Sequence, residues 1–371
     1  MPAATPKPRD WSPRLWEGCD YFAWLRLLIT NRFAVEPPYW YIAAIMSCVT
    51  FSNTFFRWLQ EARYGDQIRN APPPPPPLFV LGHWRTGTTL LHELLILDER
   101  WTSPTTLHCF MPCHFLLSSD FIRKYLAFAM PKKRPMDNMP AGWDRPQEEE
   151  FALALLGEPS TYTDIAFPNR PALTPGALDL SGLTQPQLAR WKRTFYRFVQ
   201  TVTAQDPRPM VLKSPPHTAR VPVLLELFPK AKFVHLVRDP YTLFVSTMNT
   251  WMSMSAKHGF QTPRGGPALE EKVFREFRII HERYEAAKGL IPSGRLCEVR
   301  YEDFVRDIVG TMERVYKELD LGEFASVRSK FEAFVARSKG YETNKYDLSD
   351  ELRGRIRERW GDIIEKLGYQ Q

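Results

Sequence analysis

Leu78 to Leu91 reads LFVLGHWRTGTTLL. Leu78, Phe79 and Val80 lead towards Gly82, the short loop His83-Trp84-Arg85-Thr86-Gly87-Thr88-Thr89 follows, and a helical apolar pattern begins with Leu90, Leu91, Leu94 and Leu95. This order predicts a strand, a tight loop and a helix. Such a loop aims several backbone N–H groups and the positive end of a helix dipole at one point, which suits a phosphate. The spacing Gly82-x4-Gly87-x-Thr89 matches the P-loop pattern G-x4-G-K-[ST], except that Thr88 stands where the lysine belongs. In a nucleoside triphosphatase that lysine reaches the β- and γ-phosphates and the next hydroxyl holds magnesium. Here the cation is Arg85, inside the loop, whose guanidinium fork grips tetrahedral oxyanions through two bonds. The loop suits phosphate but is not built for MgATP. The plainer reading is an ordinary glycine-containing turn between a strand and a helix.

Further along, strands alternate with helices. Met210-Val211-Leu212, Lys232 to Val237 and Arg295 to Arg300 read as short buried strands. Helical patterns cover 90–97, 186–203, 218–228, 241–254 and 268–288, and most of the chain from 307 onward, with a break at Lys339-Gly340-Tyr341. The alternation predicts an α/β fold: a P-loop-containing parallel β-sheet flanked by helices. Residues 101–117 read as irregular and aromatic-rich, and 123–145 as a basic loop over a site. Glu148, Glu149 and Glu150 precede FALALL, where acidic side chains favour the start of a helix.

Residues 1–71 form a helical extension unusually rich in aromatic side chains, including Trp11, Trp16, Trp24, Trp40, Phe55, Phe56 and Trp58, mixed with Arg14, Arg26, Arg32 and Arg57. Tryptophan beside arginine suits a lipid headgroup layer. Packing against the catalytic domain or a second subunit, as in a homo-oligomer, is the alternative, and periodicity does not separate the two. Six prolines at 72–77 make a stiff extended spacer. The expected organisation is therefore an extension over 1–71, the spacer, and a catalytic domain over 78–371.

With 371 residues, 49 Lys+Arg against 42 Asp+Glu give a net charge of +7. The basic residues are scattered, with one short cluster at Lys132-Lys133-Arg134, so an anionic small ligand or membrane surface fits better than nucleic acid. Five cysteines show no metal-ligand pairing and read as reduced thiols of a cytoplasmic protein. The first sixteen residues lack the apolar core of a cleavable signal, and the apolar run 39–51 is shorter than the roughly 20 residues of a membrane span. The expected location is cytoplasmic, peripheral to the inner face of a membrane if the extension meets lipid.

Ligands of parallel sheets bind beyond the carboxyl ends of the strands. Arg85, Lys213 and Arg238 each follow a different strand, which implies a ligand with several separated anionic groups. Ser246 lies eight residues after Arg238, roughly two helical turns, so both can serve a second phosphate.

On these motifs the chain resembles the sulfotransferase superfamily, whose sulfuryl donor is 3′-phosphoadenosine 5′-phosphosulfate (PAPS). Arg85-Thr86-Gly87-Thr88-Thr89 matches the family's 5′-phosphosulfate loop, and Arg238-Asp239-Pro240 with Ser246 matches its 3′-phosphate motif. LFPKAKFVHLVRDP looks like the bacterial and tyrosylprotein-type branch. Over residues 77–371 the resemblance implies that Lys213 lies beside the transferred group and that the segment with Tyr301 closes near the adenosine. It departs at the base: where that branch carries a glutamate, this sequence has Thr105, Thr106, Leu107 and His108. Cytosolic members use a histidine, which implies His108, with His114 and Glu149 as rivals.

The expected reaction is in-line transfer of a sulfuryl group to a hydroxyl or amine, with no metal. Arg85 and Lys213 neutralise charge, His108 takes the proton, and Arg238 with Ser246 reads the 3′-phosphate and so rejects ATP. The aromatic stretches 101–117 and 247–260 fit a small-molecule, lipid or glycan acceptor alike. Two alternatives stay open: a P-loop kinase with Asp239 as magnesium carboxylate, and a non-catalytic nucleotide-binding protein attached to a membrane.

Overall fold

The computed structural model describes residues 14–126, 141–337 and 348–369. Trp11, the Lys132-Lys133-Arg134 cluster and the break at Lys339-Gly340-Tyr341 lie outside them. In chain order the main elements begin with α1 (Tyr21–Thr30), α2 (Trp40–Arg69), β1 (Leu78–Leu81), α3 (Thr88–Leu95), α4 (Thr106–Phe110), α5 (Phe115–Tyr125), α6 (Glu149–Leu155) and α7 (Gln185–Gln205). There follow β2 (Val211–Leu212), α8 (Val221–Leu227), β3 (Lys232–Val237), α9 (Pro240–His258), α10 (Pro267–Ala287), β4 (Leu296–Arg300), α11 (Tyr301–Arg306), α12 (Ile308–Glu318), α13 (Arg328–Arg337) and α14 (Asp350–Lys366). The chain divides into two compact units of several segments each: 1–73, 104–206 and 249–266 in one, 74–103, 207–248 and 267–371 in the other.

The second unit holds the sheet. Among the described residues it has four strands in the order β2-β1-β3-β4, every neighbouring pair parallel. The expected parallel α/β sheet is therefore present. β1 sits between β2 and β3, so the chain leaves β1 on one side and later returns on the other. The carboxyl end of β1 is thus the topological switch point where ligands of open parallel sheets bind. All four residues of β1 are buried, as a strand covered on both faces requires. Leu78, Val80, Val234, Leu236 and Val299 join Leu91, Leu94 and Leu95 of α3 and Met312 and Val315 of α12 in one core. On the opposite face Phe79 stacks on Phe233, with ring centroids 5.5 Å apart. Each such side chain stabilises the fold by about 1.5–3 kcal/mol relative to exposure.

The first unit is helical. In α7, Trp191, Phe195, Phe198, Val199 and Val202 are buried at helical spacing, and the helix opens with the Thr184 amide donating to Gln187 Oε1 at 2.8 Å. Trp16 and Trp24 are core residues of this unit, and Trp16 Nε1 donates to the His258 carbonyl at 2.8 Å. The stretch 101–117, expected to be irregular, contains α4 and the start of α5. Its prolines, Pro104 and Pro112, fall before helix starts, where a missing N–H costs little. The helix expected over 218–228 splits into a 3-10 turn, Pro215–Ala219, and α8. Among the described residues no helix is long and apolar enough to cross a membrane. All five cysteines are free thiols.

Candidate active site

The loop after β1 is shaped by three residues at positive φ: Gly82 (145°), Arg85 (71°) and Gly87 (95°). A Cβ on Gly87 would lie 2.4 Å from the Tyr301 ring, so only glycine fits there. Arg85 pays a left-handed penalty of about 1–2 kcal/mol for its conformation. The loop is pinned by the Gly82 amide donating to Thr218 Oγ1 at 2.7 Å and by Thr86 Oγ1 donating to the His83 carbonyl at 2.7 Å. Gly87 caps α3, and the amides of the first turn, from Thr88 and Thr89 on, have no carbonyl within the helix to bond.

Side chains from the other strand ends converge on this loop. Arg238, after β3, donates from Nη1 to the Arg85 carbonyl at 2.9 Å. Its guanidinium also stacks over the ring of Tyr301, which follows β4, at 4.2 Å from the centroid. Arg85 Nε donates to Ser246 Oγ, on α9, at 2.9 Å. Lys213, after β2, is 2% exposed and its Nζ lies 3.5 Å from Thr89 Oγ1. Three cations are therefore gathered at one end of the sheet: Arg85 within the loop, Arg238 bonded to its backbone, and Lys213 nearly sealed from solvent.

The chain matches the model of the sulfotransferase family over residues 76–325. The omega-hydroxy-beta-dihydromenaquinone-9 sulfotransferase Stf3 of Mycobacterium bovis, and that of Mycobacterium tuberculosis, are each 40% identical over 363 residues, covering 98% of this chain and 93% of theirs. The chain belongs to the sulfotransferase family. In fold, this sulfotransferase is similar to the crystal structure of sulfotransferase STF9 from Mycobacterium avium, with a TM-score of 0.67, 20% identity, and 95% and 93% of the two chains covered. STF1 from Mycobacterium tuberculosis H37Rv follows with a TM-score of 0.59, 19% identity, and 95% and 94% covered. The protein is a sulfuryl-transferring enzyme.

Asp239, the carboxylate of the kinase alternative, caps α9 of the sulfotransferase. It accepts from the Tyr241 amide at 3.2 Å, the Thr242 amide at 3.1 Å and the Thr242 hydroxyl at 2.6 Å. Its own amide donates to Glu302 Oε1 at 3.1 Å. A carboxylate so engaged is a helix cap.

The three candidate bases lie in the first unit, each with distinct surroundings. His108 Nδ1 accepts from the Thr105 amide at 3.2 Å, and its Nε2 meets Gln205 Oε1 at 3.1 Å, so the neutral ring with hydrogen on Nε2 satisfies both contacts. Burial lowers its pKa to about 4. His114 is similar: Nδ1 meets Ser118 Oγ at 2.8 Å, Nε2 meets Asn53 Oδ1 at 3.1 Å, and burial lowers its pKa to about 4. Glu149 is the first residue of α6 and is wholly buried, as is Glu150. Glu148, 7% exposed, accepts from the Tyr162 hydroxyl. The sequence pattern placed this acidic run at a helix start and did not show its burial. The sequence reading also missed Thr218 as the anchor of the loop and Arg220 as a buried cation, 1% exposed. Both lie just beyond Lys213, in a segment whose two prolines masked its packing.

Proposed function

We propose that this sulfotransferase takes its sulfuryl group from PAPS and delivers it to a hydroxyl of a lipid-type acceptor of the hydroxylated dihydromenaquinone class. The residues present suit such a donor. The glycine-lined loop with Arg85, Thr86, Gly87, Thr88 and Thr89 would receive the 5′-phosphosulfate, and Arg238 with Ser246 the 3′-phosphate. Tyr301 would sit beside the adenosine. The observation that carries this is the bond from Arg238 to the Arg85 carbonyl, which brings the two anion-binding motifs together at one sheet edge. The acceptor class rests on the 40%-identical relatives, named for that lipid.

When bound, the donor supplies an activated sulfuryl group. Lys213 and Arg85 offset the charge that develops on the departing phosphate and the equatorial oxygens. The proton of the acceptor hydroxyl goes to Glu149 in preference to His108. Both nitrogens of His108 are already engaged, by the Thr105 amide and by Gln205 Oε1.

The test is incubation of the protein with PAPS and an ω-hydroxylated dihydromenaquinone, with mass spectrometry of the lipid. One added sulfuryl group per acceptor is expected. Glu149→Gln should lower turnover about 100-fold with product nucleotide still bound, whereas His108→Gln should keep most activity. Loss in His108→Gln and full activity in Glu149→Gln would return the base to His108.

A further inference from the structure

The middle of helix α2, residues 50–60, is built inside out. There Thr50, Asn53, Thr54 and Gln60 are buried, while Ile42, Met46 and Ile68 are the buried apolar residues towards the two ends. Asn53 Nδ2 donates to the carbonyls of Glu17 at 2.6 Å and Cys19 at 3.0 Å, and Thr54 Oγ1 accepts from the Tyr21 amide at 2.9 Å. Its outward positions carry Tyr41, Ile45, Phe51, Phe55, Trp58 and Leu59, each 45–66% exposed. A helix on the surface of a protein surrounded only by water shows the opposite pattern. The stripe runs about 27 Å at 1.5 Å per residue, and residues 41–56 contain no charged side chain. Tyr21 joins it to α1, with its ring 5.9 Å from that of Phe51 and 5.8 Å from that of Phe22.

We infer that this face lies on an anionic lipid surface, with the axis of α2 along the membrane plane. Three features select lipid over a second copy of the chain. From Asp20 to Gln60 the charged residues are Asp20, Arg26, Arg32, Glu36 and Arg57; Arg57 pairs with Asp20 at 3.0 Å and Glu36 accepts from the Thr262 amide at 2.9 Å, which leaves a net charge of +1. The balance is therefore cationic, in a chain of net charge +7, which complements anionic headgroups and not a copy of itself. Trp40 and Trp58, both more than 60% exposed, stand near the two ends of the stripe, and indole rings favour the boundary between apolar chains and water. The phenylalanines lie between them, as in helices that rest within the interface. The inference rests on the proposed acceptor in one respect: a hydroxylated polyprenyl quinone resides in such a layer, so docking would bring the enzyme to its substrate.

The experiment is flotation of the full chain with vesicles of phosphatidylcholine and phosphatidylglycerol, against phosphatidylcholine alone, with sedimentation to read oligomeric state. Wild type should float with the mixed vesicles, less with the neutral ones, and sediment as a monomer without lipid. Phe51→Ser with Phe55→Ser should lower vesicle binding at least ~10-fold, and Ile45→Ser with Leu59→Ser should act likewise. Phe51→Trp with Phe55→Trp should retain binding. All four positions are exposed, and unchanged product-nucleotide binding confirms folded variants. The inference is overturned if wild type stays with the protein-only fraction, if both serine pairs float like wild type, or if wild type is a dimer that the serine pairs dissociate. Transfer to a short-chain, water-soluble hydroxylated quinone separates the two readings. Flotation without any transfer counts against the acceptor alone, and transfer without flotation counts against the docking face alone.

Discussion

Gly87, Tyr301 and Arg238 form a stack in which each residue limits the next. Gly87 has φ 95° and no room for a Cβ beneath the Tyr301 ring. Gly87→Ala should therefore cost about 1–3 kcal/mol of stability and abolish tight binding of the product nucleotide, read by denaturant titration and calorimetry. The ring of Tyr301 carries the guanidinium of Arg238 at 4.2 Å. Tyr301→Phe should leave nucleotide affinity within a few-fold of wild type, while Tyr301→Ala should weaken it about 10-fold, the worth of a partly desolvated cation–π contact. A second consequence concerns acid. Burial holds His83, His108 and His114 at pKa values of about 4, against 6.5 for an unburied imidazole. Below about pH 6.5 the unfolded chain binds protons that the native chain refuses until about pH 4. Their contribution to stability is complete above pH 6.5 and is lost as pH falls through that window. The thermal midpoint should be flat from pH 7 to 8 and fall between pH 6.5 and 4, and His83→Asn should make that fall shallower.

At the scale of elements, the sheet was legible because the strands are short, mainly apolar runs, three of which give way to a glycine or a cation. Leu81 gives way to Gly82, Leu212 to Lys213 and Val237 to Arg238. The same ends carry Arg85, Lys213 and Arg238, which the structure gathers at one edge of the sheet. Leu94→Ala, on the buried side of α3, should destabilise the protein by about 2–5 kcal/mol in a chemical-denaturation midpoint. What the sequence hid were features of tertiary burial. Glu148, Glu149 and Glu150 look like the acidic start of an exposed helix, and nothing in the spacing says that all three are buried. His108 has the spacing of a base, and only the fold reveals Gln205 and Thr105 on its two nitrogens. Helix α2 has little periodicity to read, because over residues 50–60 polar side chains face its own unit and aromatic ones face out.

Taken whole, the molecule joins a mildly basic chain to a parallel sheet whose carboxyl edge gathers three cations. Membership of the sulfotransferase family says that a sulfuryl group is moved. We propose that two adjacent anion sites, the loop at Gly87 and the pair Arg238 and Ser246, receive the 5′- and 3′-phosphates of one nucleotide. Charge-assisted hydrogen bonds contribute about 1.5–3 kcal/mol each, so two of them to a 3′-phosphate amount to about 100-fold or more in affinity. Calorimetric titration with adenosine 3′,5′-bisphosphate and with adenosine 5′-monophosphate tests this most directly. The bisphosphate should bind at least ~100-fold more tightly to wild type, and the difference should shrink at least ~10-fold in Arg238→Ala. Equal affinity of the two nucleotides for wild type, or an undiminished preference in Arg238→Ala, would contradict it.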